Sequence, residues 1–461
     1  MTEVLIDRVE GQPTPLHALT EAALEAFLAT RPAALARLAT LTGFKAKAGQ
    51  VLVAPDAVGD IALFGLGEGA RADGMALRAL PVCLPAGDYR LVEPVAGVAP
   101  DRVALAWALG AYAFDRYRKT PAEPRARLVT DDGHDLAEVR QLALACALAR
   151  DLINTPANDM GPTELEMAAR AVAEVFGAQI AVVVGDDLLT ANYPAIHAVG
   201  RAADPTRAPR MIEISWGDEA HPRVVIVGKG VVFDTGGLDL KPSSAMRLMK
   251  KDMGGAAHAL ALGRMVMAAG LSVRLSVLLP VAENAVAGGA MRPGDILASR
   301  KGLSIEVGNT DAEGRLILAD ALTRAGELEP DLTIDLATLT GAARAALGPQ
   351  VIPFYTADDA LAAQIASAGH AAGDPVWRMP LWAGYEEAID SDIADLKNDP
   401  DGWAQAGSVT AALFLQRFAP RSAWVHLDIF AWNPKSRPGF TAGAEAQTIR
   451  ALYAVIKARY P

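Results

Sequence analysis

The chain has 461 residues, of which 51% are hydrophobic and 21% charged, and its formal net charge is −11. That length exceeds one ordinary hydrophobic core, so two domains are expected. The acidic balance argues against a non-specific nucleic-acid binder, since phosphate needs a basic surface, and no uninterrupted apolar run is long enough to span a bilayer.

The start, Met1-Thr2-Glu3-Val4-Leu5-Ile6-Asp7-Arg8, lacks a basic stretch leading into an apolar core, so no signal peptide is expected and the cytoplasm is the expected location. The two cysteines, Cys83 and Cys146, sit in apolar surroundings and read as buried thiols of a reducing compartment. Residues 1–130 read as a small α/β domain. Segments 51–54 and 60–65 have strand character, 104–117 reads as a helix, Pro121-Ala122-Glu123-Pro124 breaks the pattern, and 127–129 resumes it as a strand. No charged, glycine-bearing constellation occurs there.

A connecting helix is predicted within 131–153, with Leu136, Val139, Leu142, Ala143 and Cys146 at helical spacing, ending at Asn154-Thr155-Pro156. Residues 154–461 form the larger unit. Strands are predicted over 223–227, 271–281, 332–336 and 424–429, alternating with helices over 254–269 and 314–326. That alternation predicts a mixed, largely parallel sheet flanked by helices. Chemistry then collects at the carboxyl ends of the strands. Lys229 and Asp234 follow directly after the strand that ends at Val227.

Two motifs carry the candidate chemistry. One is Asn309-Thr310-Asp311-Ala312-Glu313-Gly314-Arg315-Leu316. The other runs Gly228-Lys229-Gly230 through Asp234-Thr235-Gly236-Gly237 to Lys241, then Lys250-Lys251-Asp252-Met253-Gly254-Gly255. Asp234, Asp252, Asp311 and Glu313 carry four negative charges, which two divalent ions would neutralise. Without metal they would push one another's pKa values up. Glycine beside every acid permits close backbone approach and positive φ. Taken alone, Asp311-x-Glu313 is a solvated helix start and Lys241 a surface-loop lysine. In this company Lys229 could ligate a metal through a deprotonated amine, and Lys241 could polarise a carbonyl. Of Met246, Met249 and Met253, two are expected to fill core. His258 and His426 read as core or supporting residues. The phosphate-binding G-x-x-x-x-G-K-[ST] pattern is absent, and so are the H-E-x-x-H zinc motif and G-x-S-x-G.

These motifs are similar to those of the cytosolic leucyl aminopeptidases, the M17 peptidases, with the eight residues Asn309 to Leu316 identical to the family signature and the Lys229–Gly255 block in the same order. Asn154-Thr155-Pro156-Ala157-Asn158 and Ala337-Thr338-Leu339-Thr340-Gly341-Ala342 also resemble family segments, so the likeness covers roughly residues 149–461. It implies a hydrolase with two divalent ions per subunit, zinc or manganese first and magnesium or cobalt next. The substrates would be short peptides with a free N-terminus, from which leucine or a similar residue is released. By match, Asp234 and Glu313 would bridge both ions, Lys229 and Asp252 would complete one site, and Asp311 the other. Lys241 and Arg315 would be the catalytic pair, the arginine holding a bicarbonate. Met249, Thr338, Leu339 and Gly341 would line the substrate cleft, and the family assembles as a homohexamer. At Phe430-Ala431-Trp432-Asn433-Pro434 the chain departs from the small residues that the best-known members place near the side-chain pocket. The competing readings are a two-metal phosphoesterase, or a DNA-binding regulator with secondary peptidase activity. The net charge and the absence of a basic run in residues 1–130 count against the second.

Overall fold

The computed structural model describes the chain apart from residues 1, 8, 10, 57–58, 70–73, 121–122, 131–135, 401–402 and 404. Part of the predicted break at Pro121-Ala122 and the first residues of the predicted connector, 131–135, therefore lie outside the described residues. The chain divides into two compact units. One comprises residues 1–147 with 433–443, the other 148–432 with 444–461. The helix Leu136–Asn154 contains the division.

In the first unit six strands run in the order Leu5–Ile6, Arg127–Val129, Asp88–Leu91, Thr14–Leu19, Gly59–Gly65, Val51–Asp56. All pairs are parallel except the last, where the two predicted strands join antiparallel. The helix expected over 104–117 is instead Pro100–Gly110. Pro100 can open a helix because its missing N–H is one that the first turn cannot use. Ala111 and Tyr112 stay buried beyond the helix end, which prolongs the apolar pattern without prolonging the helix. Cys146 is buried but Cys83 is exposed, which corrects the expectation of two buried thiols. Cys83 closes the single turn Leu80–Cys83, and the extended Leu84 takes the inward position after it. Neither cysteine is in a disulfide.

The second unit is built on a sheet ordered Val376–Arg378, Ile352–Tyr355, Ala423–Asp428, Leu332–Ala337, Arg223–Gly228, Arg274–Asn284, Arg210–Trp216, Gln179–Val184. The central pairs are parallel, and antiparallel pairs occur toward both edges. Val224, Val225, Ile226 and Val227 are buried without alternation, as a strand covered on both faces requires. The helix Gly254–Ala268 is buried on nearly every side, matching its apolar composition. The strand predicted over 271–281 begins only at Arg274, because Gly270 and Leu271 bond back to Met267 and Val266 and close the preceding helix. The carboxyl ends of Arg223–Gly228, Leu332–Ala337 and Ala423–Asp428 lie side by side, and the candidate residues gather there.

Both singled-out histidines are core residues. His426 is fully buried with Nδ1 2.5 Å from Asp335 Oδ1, and Trp424 Nε1 donates to the other oxygen at 2.7 Å. His258 donates from Nδ1 to the Gly254 carbonyl at 2.6 Å and accepts at Nε2 from the Gln447 N–H at 3.0 Å. That pair of roles requires the neutral ring, and burial pushes its pKa down to about 4. A depressed histidine pKa adds stability above the unfolded value of about 6.5, and the contribution is lost as pH falls toward 4. Its full size is roughly 3 kcal/mol. The gap in unfolding midpoint between wild type and His258→Gln should therefore narrow between pH 6.5 and 4, measured by chemical denaturation across that range. A constant gap would show that His258 does not titrate as a buried neutral ring.

Candidate active site

The site begins with an interrupted strand. Arg223–Gly228 and Gly230–Asp234 would be one strand but for Lys229. Before the interruption the chain pairs with Leu332–Ala337 and the first half of Arg274–Asn284, and after it only with the last residues of the latter. The Lys229 N–H donates to the Leu336 carbonyl at 3.0 Å and its own carbonyl accepts from Ala256 N–H at 2.8 Å. Glycine is needed on both sides. A Cβ on Gly228 would lie 2.5 Å from the Gly255 oxygen, and one on Gly230 2.7 Å from that of Pro280. The Lys229 side chain is 3% exposed.

The predicted acids converge on it. Asp234 ends its strand, and its Oδ1 accepts from Gly236 N–H and Asn284 Nδ2, both at 2.9 Å. Its Oδ2 is 2.8 Å from Lys241 Nζ. Asp252 follows the turn Met249–Lys251; Thr338 Oγ1 donates to its Oδ1 at 2.8 Å, and Lys229 Nζ is 2.8 Å from its Oδ2. Glu313 is the first residue of the helix Glu313–Glu327, with Oε1 2.9 Å from Lys229 Nζ. One oxygen each of Asp234, Asp252 and Glu313 lie within 4.8 Å of one another. Asp311 joins through Lys241, which contacts both it and Asp234. Of the glycines beside the acids, Gly236 and Gly237 take positive φ, whereas Gly254, Gly255 and Gly314 lie in helices.

Four carboxylates thus face two lysines. Burial, then the charge of Asp234, hold Asp311 and Glu313 above the ordinary carboxylate range, and burial does the same to Asp252. Burial alone would lower Lys229, but Asp252, Glu313 and Asp234 outweigh it and raise it; Lys241 is raised against burial chiefly by Asp234. Lys229 Nζ stands 2.8 Å from Asp252 Oδ2 and 2.9 Å from Glu313 Oε1, while Glu313 Oε2, also buried, has no hydrogen-bond partner among the described residues. Buried carboxylate oxygens that crowd round a single ammonium fit divalent cations, and the oxygen set plus one amine suits hard or borderline ions. Such cations would reverse the balance that keeps Lys229 protonated, by competing for the same acids.

Lys241, Arg315, Met249, Thr338, Leu339 and Gly341 line a cleft of about 610 Å³ together with the clustered acids, except Glu313, which is fully buried. Of the three methionines Met253 is fully buried, while Met246 and Met249 are half-buried. Two supporting residues carry no local sequence signal. Asn284 ties Asp234 to the Thr310 carbonyl, at 2.9 and 3.1 Å. Asn398, fully buried, accepts from Gly308 N–H at 2.8 Å and donates to the Asn309 and Ala312 carbonyls at 2.8 and 3.2 Å. Its own carbonyl accepts from Arg315 Nη1. It therefore fixes the loop that carries Asp311 and delivers Glu313.

A parallel-sheet domain with clustered acids, lysines and an arginine in one cleft defines a metal-dependent hydrolase. Comparison with known proteins gives the family. Residues 147–453 match the cytosol aminopeptidase family catalytic domain, and residues 14–131 the M17 aminopeptidase N-terminal domain. A probable cytosol aminopeptidase of Geobacter sulfurreducens is 40% identical over 388 residues, 80% of this chain and 77% of that one. One of Chlorobium limicola is 35% identical over 462 residues, 90% and 91% of the two chains. The crystal structure of the cytosol aminopeptidase from Coxiella burnetii superposes with a TM-score of 0.92 at 40% identity over 100% of both chains. The bottromycin maturation enzyme BotP in complex with Mn gives 0.87 at 33% identity over 97% of this chain and 100% of that one. The chain belongs to the cytosol aminopeptidase family. It is an aminopeptidase, a peptide hydrolase of a metal-dependent family.

Asn398→Ala would take away the Asn398 partner of the part-buried Gly308 N–H and Ala312 carbonyl and leave the Asn309 carbonyl with the Ala312 N–H alone. A loss of about 2–4 kcal/mol of stability is expected, together with a fall in kcat, because Asp311 and Glu313 ride on the loosened loop. Denaturant titration and steady-state kinetics on a leucyl-anilide check both, and a variant with unchanged kcat would separate this asparagine from the site.

Proposed function

We propose that Lys229, Asp234, Asp252, Asp311 and Glu313 would hold two divalent cations, and that the enzyme removes N-terminal residues from short peptides. The carrying observation is the convergence of buried carboxylate oxygens of Asp234, Asp252 and Glu313 beside Lys229, whose single ammonium is shared by two of them. When bound, the cations polarise the peptide carbonyl and lower the pKa of water. Zinc or manganese fits a donor set of carboxylates and one amine, with magnesium or cobalt as alternatives.

The chain's own residues do the remaining work. Lys241, whose side chain is 12% exposed and held by Asp234 and Asp311, donates to the carbonyl oxygen as charge develops on it. Arg315 is oriented by the Asn398 carbonyl and presents a planar fork to an anion at the cleft floor, for which bicarbonate is the family expectation. Met249, Thr338, Leu339 and Gly341 line the cleft, which orients the peptide against that apparatus. Four carboxylates against two lysines attract a free α-amine. Acetylation removes its charge and adds bulk. A homohexamer in the cytoplasm is the assembly and location that the family resemblance supports. No helix among the described residues is long and apolar enough to cross a membrane.

Leucyl-dipeptides and leucyl-anilides should be cleaved and their N-acetyl forms should not, and chelation should abolish activity that added Mn or Zn restores. Comparable rates on acetylated and free substrates would refute N-terminal reading, and full activity after chelation would refute the metal requirement. Lys241→Ala should keep its metal, measured by elemental analysis, and lose ~10²-fold or more in kcat, the scale for one oxyanion-stabilising group. Near-normal turnover would remove Lys241 from the mechanism.

A further inference from the structure

Lys229, Lys241, Lys251, Arg315 and Arg344 all line the cleft, and they differ in what holds them. Lys229 and Lys241 are paired with the clustered carboxylates, and Arg315 is held by the Asn398 carbonyl. Two cations are left on the same wall. Lys251 Nζ lies 5.0 Å from the centre of the Phe430 ring, and the Arg344 guanidinium carbon 5.3 Å from it. Both side chains and the ring line the cleft. Among the described residues neither cation makes an ion pair. The neighbouring Lys250 behaves differently, its Nζ donating to the Asn154 carbonyl at 2.5 Å.

Lys251 is 6% exposed. A buried ammonium with no carboxylate at ion-pair distance is costly to keep, and the more distant charges of Asp252 and Asp428 and a ring face compensate it only in part. Arg344, which is exposed, brings a second like charge to the same ring. Mutual repulsion makes the pair worse for stability and better as a receptor, because one carboxylate could bond to both with charge-assisted hydrogen bonds. Position says which carboxylate. Lys251 precedes Asp252 directly, so the cations stand beside the acid cluster where the first peptide bond must lie. Phe430 occupies the point at which the sequence departs from the small residues of the family's better-known members. The ring removes room that a branched apolar side chain would use and anchors the two charges instead.

We propose that Lys251 and Arg344, held over Phe430, form a subsite for the carboxylate of an acidic N-terminal residue, so that this enzyme prefers glutamyl and aspartyl peptides. The inference rests on the aminopeptidase reading and adds the substrate class. A second source of the same chemistry is the C-terminal carboxylate of a dipeptide, and the test separates the two. Glutamyl-, aspartyl-, leucyl- and lysyl-anilides, which have no C-terminal carboxylate, are assayed alongside leucyl-leucine and leucyl-leucinamide. The wild-type enzyme is expected to cleave glutamyl-anilide with a kcat/KM at least equal to that for leucyl-anilide. Lys251→Met and Arg344→Gln should each lower the glutamyl-to-leucyl ratio of kcat/KM about tenfold or more, the scale of one charge-assisted hydrogen bond. Arg344→Glu, on an exposed residue whose exchange does not threaten the fold, should shift preference toward lysyl-anilide. A ratio that stays within twofold in all three variants overturns the proposal. So does a pattern in which only the leucyl-leucine to leucyl-leucinamide ratio falls, which would assign the cations to the peptide's other end. Failure of the wild-type enzyme on every anilide and dipeptide would overturn the peptidase reading itself, whereas leucyl cleavage without acidic discrimination would overturn this inference alone.

Discussion

The buried ammonium of Lys229 is the contact on which the catalytic unit turns. It sits between Asp252 and Glu313, donates also to the Thr338 carbonyl at 3.2 Å, and touches residues from three separate elements. A lysine reaches that position only because its strand stops pairing for one residue, and the strand can stop only because glycine stands on both sides. The helix that begins at Glu313 must then come close enough for its carboxylate to meet the lysine. A Cβ on Gly314 would lie 2.6 Å from Lys229 Nζ, so the residue after the acid is small for the same reason. Removing a single partner from such a buried cluster leaves a charge with no compensation, which costs more than the pair contributes.

Burial that makes the cluster costly also makes it usable. In water four carboxylates would be solvated and indifferent to a cation. Here three of them are held above the ordinary range, and Glu313 Oε2 has no partner among the described residues. The fold keeps this arrangement because the surrounding elements are rigid for other reasons. Leu316, Ile317 and Leu318 are fully buried directly beyond the acids, and the parallel strands beneath them are covered on both faces. The energetic strain of the site is thus carried by an apolar core that begins one turn away.

What the sequence disclosed follows from how local each signal was. Lys229, Asp234, Asp252, Asp311 and Glu313 stand in two short blocks next to strand ends, where α/β sheets collect chemistry, and the structure brings all five together. The periodic helices and the apolar strands were equally legible, since their signal is a repeat within the element itself. Boundaries were less so. The helix ending at Gly110 is followed by two buried residues that extend its pattern, and Arg274 begins its strand late because Gly270 and Leu271 are spent closing a helix. Asn284 and Asn398 could not be found in this way. Each is a lone polar residue, and its importance lies in backbone groups brought near it from distant parts of the chain. Cys83 was misread because apolar neighbours in sequence do not say on which side of a one-turn helix a side chain falls.

The two basic residues near Phe430 show the same limit from the other side. Lys251 stands in the acidic block, and its position there favours reading it with Lys250 as a generic charged pair. Only the fold separates them, sending Lys250 to the Asn154 carbonyl and Lys251 to the ring of Phe430. Arg344 arrives from a different element and meets the same ring. Acid cluster and basic wall then occupy opposite roles within one cleft, one set deficient in positive charge and the other in negative. A cleft charged in this alternating way orients a peptide by its own charges before any bond is broken, and the sign of the charge beside the first residue decides which peptides it orients well.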